Sequence, residues 1–256
     1  MILEEVLNSY KPISLSEMDG FELMNRIDTK YIFPSKRLPK LLSSISDHYR
    51  ILEIKEIRDF PYSSTYLDTP NNLFFNQHVR GVSNRYKVRF RVYETTGQSY
   101  LEVKLKNVKN RTIKWRIKNN LRNSEPDENA LQFLSSYIQD TAYSIEPVLF
   151  NRFHRITLVG IHTSERITFD HNIQFSNKQG NLIDLPYLAI AELKREGNSG
   201  ESPFLSTMKT MMIRCSGFSK YCVGSILLKD IPKSNTIKPK ILQLKKIQNE
   251  NVILTA

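Results

Sequence analysis

Long stretches of this chain alternate apolar and charged residues with a period of two, the pattern of a strand with two different faces. Eight runs carry it or are otherwise strand-like: Arg26–Phe33, Tyr62–Asp68, Arg85–Tyr93, Ser99–Lys106, Arg111–Lys118, Pro147–Val159, Glu165–Asp170 and Tyr187–Glu196. Short polar turns join the middle three, one of them Thr95–Gln98 with Gly97, so these predict consecutive antiparallel strands. Helical spacing appears between them. Leu38, Leu41, Leu42 and Ile45 share one face of a helix that Ser35 is placed to cap and that runs to about Tyr49. Thr69-Pro70 opens a short helix through Phe74 and Phe75. Further helices are expected from about Pro126 to Tyr137, from Ser202-Pro203 to about Cys215, and near Ile241–Ile247. Residues 1–25 read as a polar, partly helical entry segment.

The pattern predicts an α+β fold: an eight-stranded antiparallel β-barrel, closed so that no edge is exposed, with helices packed outside. No repeat or low-complexity linker interrupts the chain, and only nine glycines occur. One domain over residues 1–228 is expected, followed by a basic tail over 229–256 that is helical in part.

Charge sharpens this picture. Lys and Arg outnumber Asp and Glu by 37 to 26, a net charge of +11. Such an excess suits a polyanionic partner: nucleic acid, anionic lipid or a phosphate chain. Cys215 and Cys222 follow no zinc-ligand spacing and form no disulfide framework, so a cytoplasmic location is expected. The N-terminus shows no signal-peptide pattern, and no apolar run approaches the ~18–20 residues of a spanning helix.

Strand parity places the charges. Arg26, Asp28 and Lys30 share a face, as do Lys87, Arg89 and Arg91. Glu102, Lys104 and Lys106 oppose Leu101, Val103 and Leu105. Lys114 and Arg116 oppose Ile113, Trp115 and Ile117, and Glu192, Lys194 and Glu196 oppose Ala191 and Leu193. A sheet with its charged face in water would account for one such strand. Several cationic faces in succession favour a lumen, provided helices cover the apolar faces. Cations at that density call for an anion, and a phosphate polymer offers charge and acceptor oxygens together. Glu102, Glu192 and Glu196 fit either salt bridges or oxygen ligation of Mg²⁺ or Mn²⁺. A nucleic-acid partner is disfavoured, because Tyr86 and Phe90 fall on the apolar face rather than beside the cations.

In order along the chain stand R-x-D-x-K-Y (Arg26 to Tyr31), S-x-Y-L-D-T (Ser64–Thr69), K-V-R-F-R (Lys87–Arg91), L-E-V-K (Leu101–Lys104), F-N-R (Phe150–Arg152), R-I-T-F-D (Arg166–Asp170), E-L-K (Glu192–Lys194) and F-S-K-Y-x-x-G (Phe218–Gly224). Together they resemble the catalytic tunnel domain of the vacuolar transporter chaperone (VTC) family, within the triphosphate tunnel metalloenzymes. The resemblance implies phosphate-binding roles for Lys30, Arg89, Arg91, Lys104, Arg152, Arg166 and Lys220, with Ser219 as a further contact. It implies a metal-ligand role for Glu192, with Glu102 as a second candidate, and Mn²⁺ or Mg²⁺ as the metal. Arg26, Lys87, Lys114 and Lys194 join the substrate-binding set. Where the wider superfamily often carries E-x-E-x-K near the N-terminus, this chain has Arg26-x-Asp28-x-Lys30, as in the VTC branch. His154 is read as a structural histidine without a role.

The activity so implied is polyphosphate synthesis: transfer of the γ-phosphoryl of ATP, or another nucleoside triphosphate, to a growing chain. A triphosphatase on the same fold and a non-catalytic polyphosphate-binding module are the alternatives. The resemblance does not extend to the membrane segments and separate sensing domain of eukaryotic members, and a membrane partner protein is a further expectation.

Overall fold

The computed structural model describes residues 2–18, 26–109, 111–119, 125–196, 200–228 and 236–253, and at 26, 252 and 253 the backbone only. Eight strands form one continuous antiparallel path. In chain order they are β2 (Arg26–Pro34), β4 (Phe60–Asp68), β5 (Arg85–Tyr93), β6 (Gln98–Lys106), β7 (Thr112–Lys118), β8 (Glu146–Gly160), β9 (Glu165–Ser176) and β11 (Leu188–Glu196). Their order across the sheet is β2-β11-β9-β8-β4-β5-β6-β7. They correspond to the eight runs that the sequence predicts as strands. Three short strands escape it: β1 (Pro12–Ile13), β3 (Tyr49–Leu52) and β10 (Leu182–Leu185), which bring the sheet to eleven.

The expected barrel closure does not occur. Strands β7 and β2 end the hydrogen-bonded path and do not pair with each other among the described residues. The outer edge of β2 is occupied instead. Cys215 forms an isolated bridge with Tyr31, and the Ser216 amide donates to the Lys30 carbonyl at 2.7 Å. A strand edge whose carbonyl is already used there cannot accept another neighbour. The sheet is therefore a strongly curved trough.

Helices cover its outer face in two groups. Helices α1 (Leu3–Ser9), α3 (Leu38–Ile45) and α6 (Pro203–Thr210) pack on Tyr31 and Phe33 of β2, Ile156 and Leu158 of β8, Ile167 and Phe169 of β9, and Ala191 and Leu193 of β11. Helices α4 (Leu73–Arg80) and α5 (Glu128–Ile138) pack on Val88 and Phe90 of β5 and Leu101 and Val103 of β6. Capping follows local chemistry in part. The Asp127 side chain accepts from the Ala130 amide, and Ser202 from the Leu205 amide, each starting a helix. Ser35 does not cap α3; its hydroxyl donates to the Pro186 carbonyl. Helix α4 starts at Leu73, later than Pro70. Thr69 Oγ1 accepts from the Leu73 amide, and the buried Asp68 carboxylate accepts from the Phe74 and Phe75 amides. Helix α6 stops at Thr210 rather than near Cys215, because Met212 adopts a left-handed conformation (φ 55°) that turns the chain toward the β2 edge.

Helix α7 (Lys220–Leu228) was not expected, and it lies on the inner side of the sheet. The inward positions of the strands change character along their length: Asp28 and Lys30 give way to Ile32, and Lys194 and Glu192 to Ile190 and Leu188. Helix α7 fills this apolar end, with Tyr221 stacked on Tyr66 at 5.0 Å. Its hydroxyl also donates to Asp68 Oδ2, tying the helix to the start of α4. Helix α8 (Lys238–Ile253), in the segment read as a basic tail, lays Leu244 and Ile247 into the same cluster. Helix α2 (Leu15–Met18) lies near one mouth of the trough. No described helix is long and apolar enough to cross a membrane.

Gly224 lets α7 approach so closely. A Cβ built there would lie 2.5 Å from the ring of Phe175, which is itself fully buried. In a helix Ala normally improves on Gly by about 0.8–1.0 kcal/mol. Here overpacking of about 1–3 kcal/mol opposes it. Gly224→Ala should lower the melting temperature, whereas a gain would mean α7 is not seated on Phe175.

Candidate functional site

The trough encloses a cavity of about 530 Å³. Thirteen Lys and Arg side chains line it against four carboxylates, Asp28, Glu102, Asp170 and Glu192. Register explains the convergence. Across three adjacent strands, Lys114, Lys104 and Lys87 stand in one row and Arg116, Glu102 and Arg89 in the next. Across the opposite wall, Arg155 pairs with Asp170 and Lys194 with Arg166, while Glu192 stands beside Lys30. Each strand turns alternate residues to the same side, so a few strands concentrate many charges.

Of the residues singled out in the sequence, Lys30, Lys87, Arg89, Arg91, Glu102, Lys104, Lys114, Arg166, Glu192, Lys194, Ser219 and Lys220 all line this cavity. Arg26 lies in β2, but its side chain is outside the described residues. Glu196 is exposed at the end of β11 and outside the lining, and Arg152 is the second exception. It is exposed and takes no part in the lining, and Arg155 occupies the wall instead. Parity carried the signal: Ile156 and Leu158 belong to the helix-covered face, which puts Arg155 and Thr157 inward and Arg152 outward. The F-N-R motif drew attention to the wrong arginine. Arg85, Lys106, Arg116, His78, Tyr62 and Asp170 also line the cavity.

The carboxylates organise the cations unequally. Arg89 holds Glu102 through Nε at 2.7 Å and Nη2 at 2.6 Å, both to Oε2. Burial alone would raise the Glu102 pKa, but Arg89 and Lys104 hold it well below the usual range. Burial would also lower the Arg89 pKa, yet Glu102 raises it overall. Asp170 receives Arg155 in a bidentate pair at 2.6 and 2.8 Å and also contacts Lys220 Nζ. Lys220 further sits 4.1 Å from the Phe153 ring centre. Ser219, at the start of α7, accepts from the Cys222 amide at 3.2 Å and from Lys87 Nζ at 3.1 Å.

Burial works against several of the cations, paired ones included. The hydrogen bond of Arg91 runs to the Ser64 hydroxyl at 3.4 Å, and burial and Arg89 together lower its pKa. Burial pulls Lys87, Lys194 and Lys220 down to about 8, and Lys104 well below its ordinary value. Burial and the neighbouring Lys87 push His78 down to about 3, so its imidazole is neutral.

The donor set suits a hard divalent cation in one place. Glu192 lies 3.5 Å from Lys30 and 3.7 Å from Lys194, both through Oε1 and neither at close hydrogen-bond range. Burial opposes its ionisation, but Lys194 and Lys30 hold the carboxyl well below its usual range. An ionised carboxylate inside this cationic cavity meets the oxygen preference of Mg²⁺ or Mn²⁺. Glu102 fits less well, since Arg89 already grips it.

The sequence profile of the VTC domain matches residues 25–229. No curated protein matches the chain. Among solved structures, a Bacillus halodurans protein provisionally assigned as an adenylate cyclase is 13% identical, with 84% of this chain and 96% of that chain covered and a TM-score of 0.43. A Vibrio parahaemolyticus protein of the same provisional assignment is 12% identical, with 88% and 99% covered and a TM-score of 0.42. HpAC1 from Hippeastrum, described as having a dominant triphosphatase activity, is 13% identical, with 81% and 98% covered and a TM-score of 0.46.

Protonation ties anion affinity to pH. Lysines held near 8 are charged below that pH and neutral above it, so their attraction for an anion is present at pH 7 and lost as pH rises through about 8. An anion that binds the folded state raises its stability by mass action. Inorganic tripolyphosphate should therefore raise the melting temperature more at pH 7 than at pH 9. Equal shifts at the two pH values would show that these lysines do not hold the ligand.

Proposed function

The chain belongs to the VTC domain family, and from that premise we propose that it is a metal-dependent polyphosphate polymerase acting on ATP or another nucleoside triphosphate. The observation that carries the reading is the cavity's thirteen cations against four carboxylates, a surplus that a phosphate chain would neutralise.

Arg89, Arg91, Lys104, Lys30, Arg166 and Lys220 would hold the triphosphate and the chain end, with Arg155 taking the place that the motif had suggested for Arg152. Arg26, Lys87, Lys114, Lys194 and Ser219 would extend the track. Transfer breaks the bond between the γ-phosphorus and its bridging oxygen and joins that phosphorus to the terminal oxygen of the acceptor phosphate, leaving a nucleoside diphosphate. Such a reaction needs in-line positioning and charge neutralisation more than a nucleophilic side chain. Glu192 would ligate Mg²⁺ or Mn²⁺, which supplies further neutralisation of phosphate oxygens when bound. Glu102 is better placed to orient Arg89 than to hold the metal.

Hydrolysis to free phosphate uses the same site with water as acceptor. Incubation with ATP and Mn²⁺ distinguishes them: a ladder of long polyphosphate on a gel is expected, and free phosphate alone would make the protein a triphosphatase. Tight polyphosphate binding without turnover would make it a binding module.

Two substitutions separate ligand binding from folding. Arg91→Ala removes a buried cation whose hydrogen bond is to a neutral hydroxyl, so activity should fall about 10²-fold with little loss of stability. Arg89→Ala also strands Glu102, so it should cost activity and, in addition, about 3–5 kcal/mol of stability. Steady-state rates with chemical denaturation test both. Unchanged activity in Arg91→Ala would remove the cavity as the site of reaction.

A further inference from the structure

His154, which sequence alone left without a role, meets two other metal-ligating side chains on the outer face of the sheet. Its Nδ1 lies 3.2 Å from Asp59 Oδ2, and His171 Nε2 lies 3.0 Å from Asp59 Oδ1. The three ligand atoms fall within 4.8 Å of one another. None of the three residues lines the phosphate cavity. We propose that Asp59, His154 and His171 form a second metal site, for a borderline divalent cation of the Zn²⁺ class, distinct from the oxygen-liganded site at Glu192.

Geometry supports the ligand set. Bonds of about 2.0–2.1 Å at tetrahedral angles place neighbouring ligand atoms roughly 3.3 Å apart. The two Asp59–imidazole separations, one to each carboxylate oxygen, lie close to that value, and one ligand atom from each residue falls within 4.8 Å of the others. Two imidazoles and one carboxylate suit Zn²⁺ and its neighbours, whereas Mg²⁺ and Ca²⁺ prefer oxygen throughout. Burial is graded. The His171 side chain is 6% exposed, Asp59 28% and His154 42%, so three protein ligands would leave a fourth position facing water.

The backbone is shaped to bring the pair together. His154 stands opposite His171 where the β8–β9 register shifts between Arg152 and His154, and Asn172 beside it is left-handed (φ 49°). Such bulges re-aim side chains and are common beside functional sites. The next pair along, Arg155 and Asp170, lines the cavity from the other side of the same strands. An ion here would join the segment before β4 to β8 and β9 directly behind the Arg155–Asp170–Lys220 cluster.

Isothermal titration of the full chain with Zn²⁺ alone tests the assignment, with Co²⁺ absorption as a geometry-sensitive second readout. One equivalent should bind. His171→Ala should weaken it by more than the roughly 10–100-fold that losing an outer-shell partner costs. His154→Ala, at a half-exposed ring, should do the same without threatening the fold. Glu192→Gln should leave this equivalent in place. No binding by the folded chain, binding that survives both histidine substitutions, or binding abolished by Glu192→Gln would each overturn the proposal. In the first case the three side chains are a hydrogen-bonded clamp only.

Discussion

Repulsion between cations confined in one cavity is the constraint around which this structure is arranged. Two like charges 4 Å apart repel by about 4 kcal/mol at an effective dielectric near 20. The fold limits that cost in three ways. Glu102 and Asp170 grip selected partners, burial drives several lysines toward neutrality, and the sheet holds every charge on strands whose other face is anchored in a core. What stays uncompensated, Arg91 above all, is stored attraction for an anion.

The same constraint accounts for the division of the interior. Helix α7 fills the end where inward positions turn apolar, with Gly224 set against Phe175 and Tyr221 against Tyr66. Its first residue, Lys220, and Ser219 just before it reach the charged end. One element thus seals the apolar half and supplies polar groups to the cationic half. Asp68 connects it to the sheet, accepting from the α4 amides and from Tyr221. Within the S-x-Y-L-D-T motif Asp68 is therefore a buried anchor, while Tyr66 lines the cavity.

Most of the path strands and of the cavity cations on them were legible from alternation, because a period of two leaves little choice of face once one face is apolar, whereas Arg166 and Lys220 were pointed to by the family resemblance alone. Arg152 shows the limit of motif reading: a match in letters pointed outward, while the alternation through Ile156 and Leu158 pointed to Arg155. The short strands β1, β3 and β10 were not legible, since two to four residues carry no periodicity. Helix α7 was missed because it is apolar nearly all round, which is what burial inside the sheet demands and what an amphipathic pattern cannot reveal.

Sequence by itself determined the strands, the sign of their inward faces and the family to which the chain belongs, all properties carried by neighbours along the chain. Tertiary structure alone decided that the sheet stays open at β2 and β7, since that turned on a distant segment at Cys215 occupying the edge. It alone set which carboxylate is gripped and which remains near a pair of lysines. It alone brought Asp59, His154 and His171 together, three residues more than a hundred positions apart at the extremes. Charge compensation and ligation act over a few ångströms in space, and only the folded chain assigns those distances.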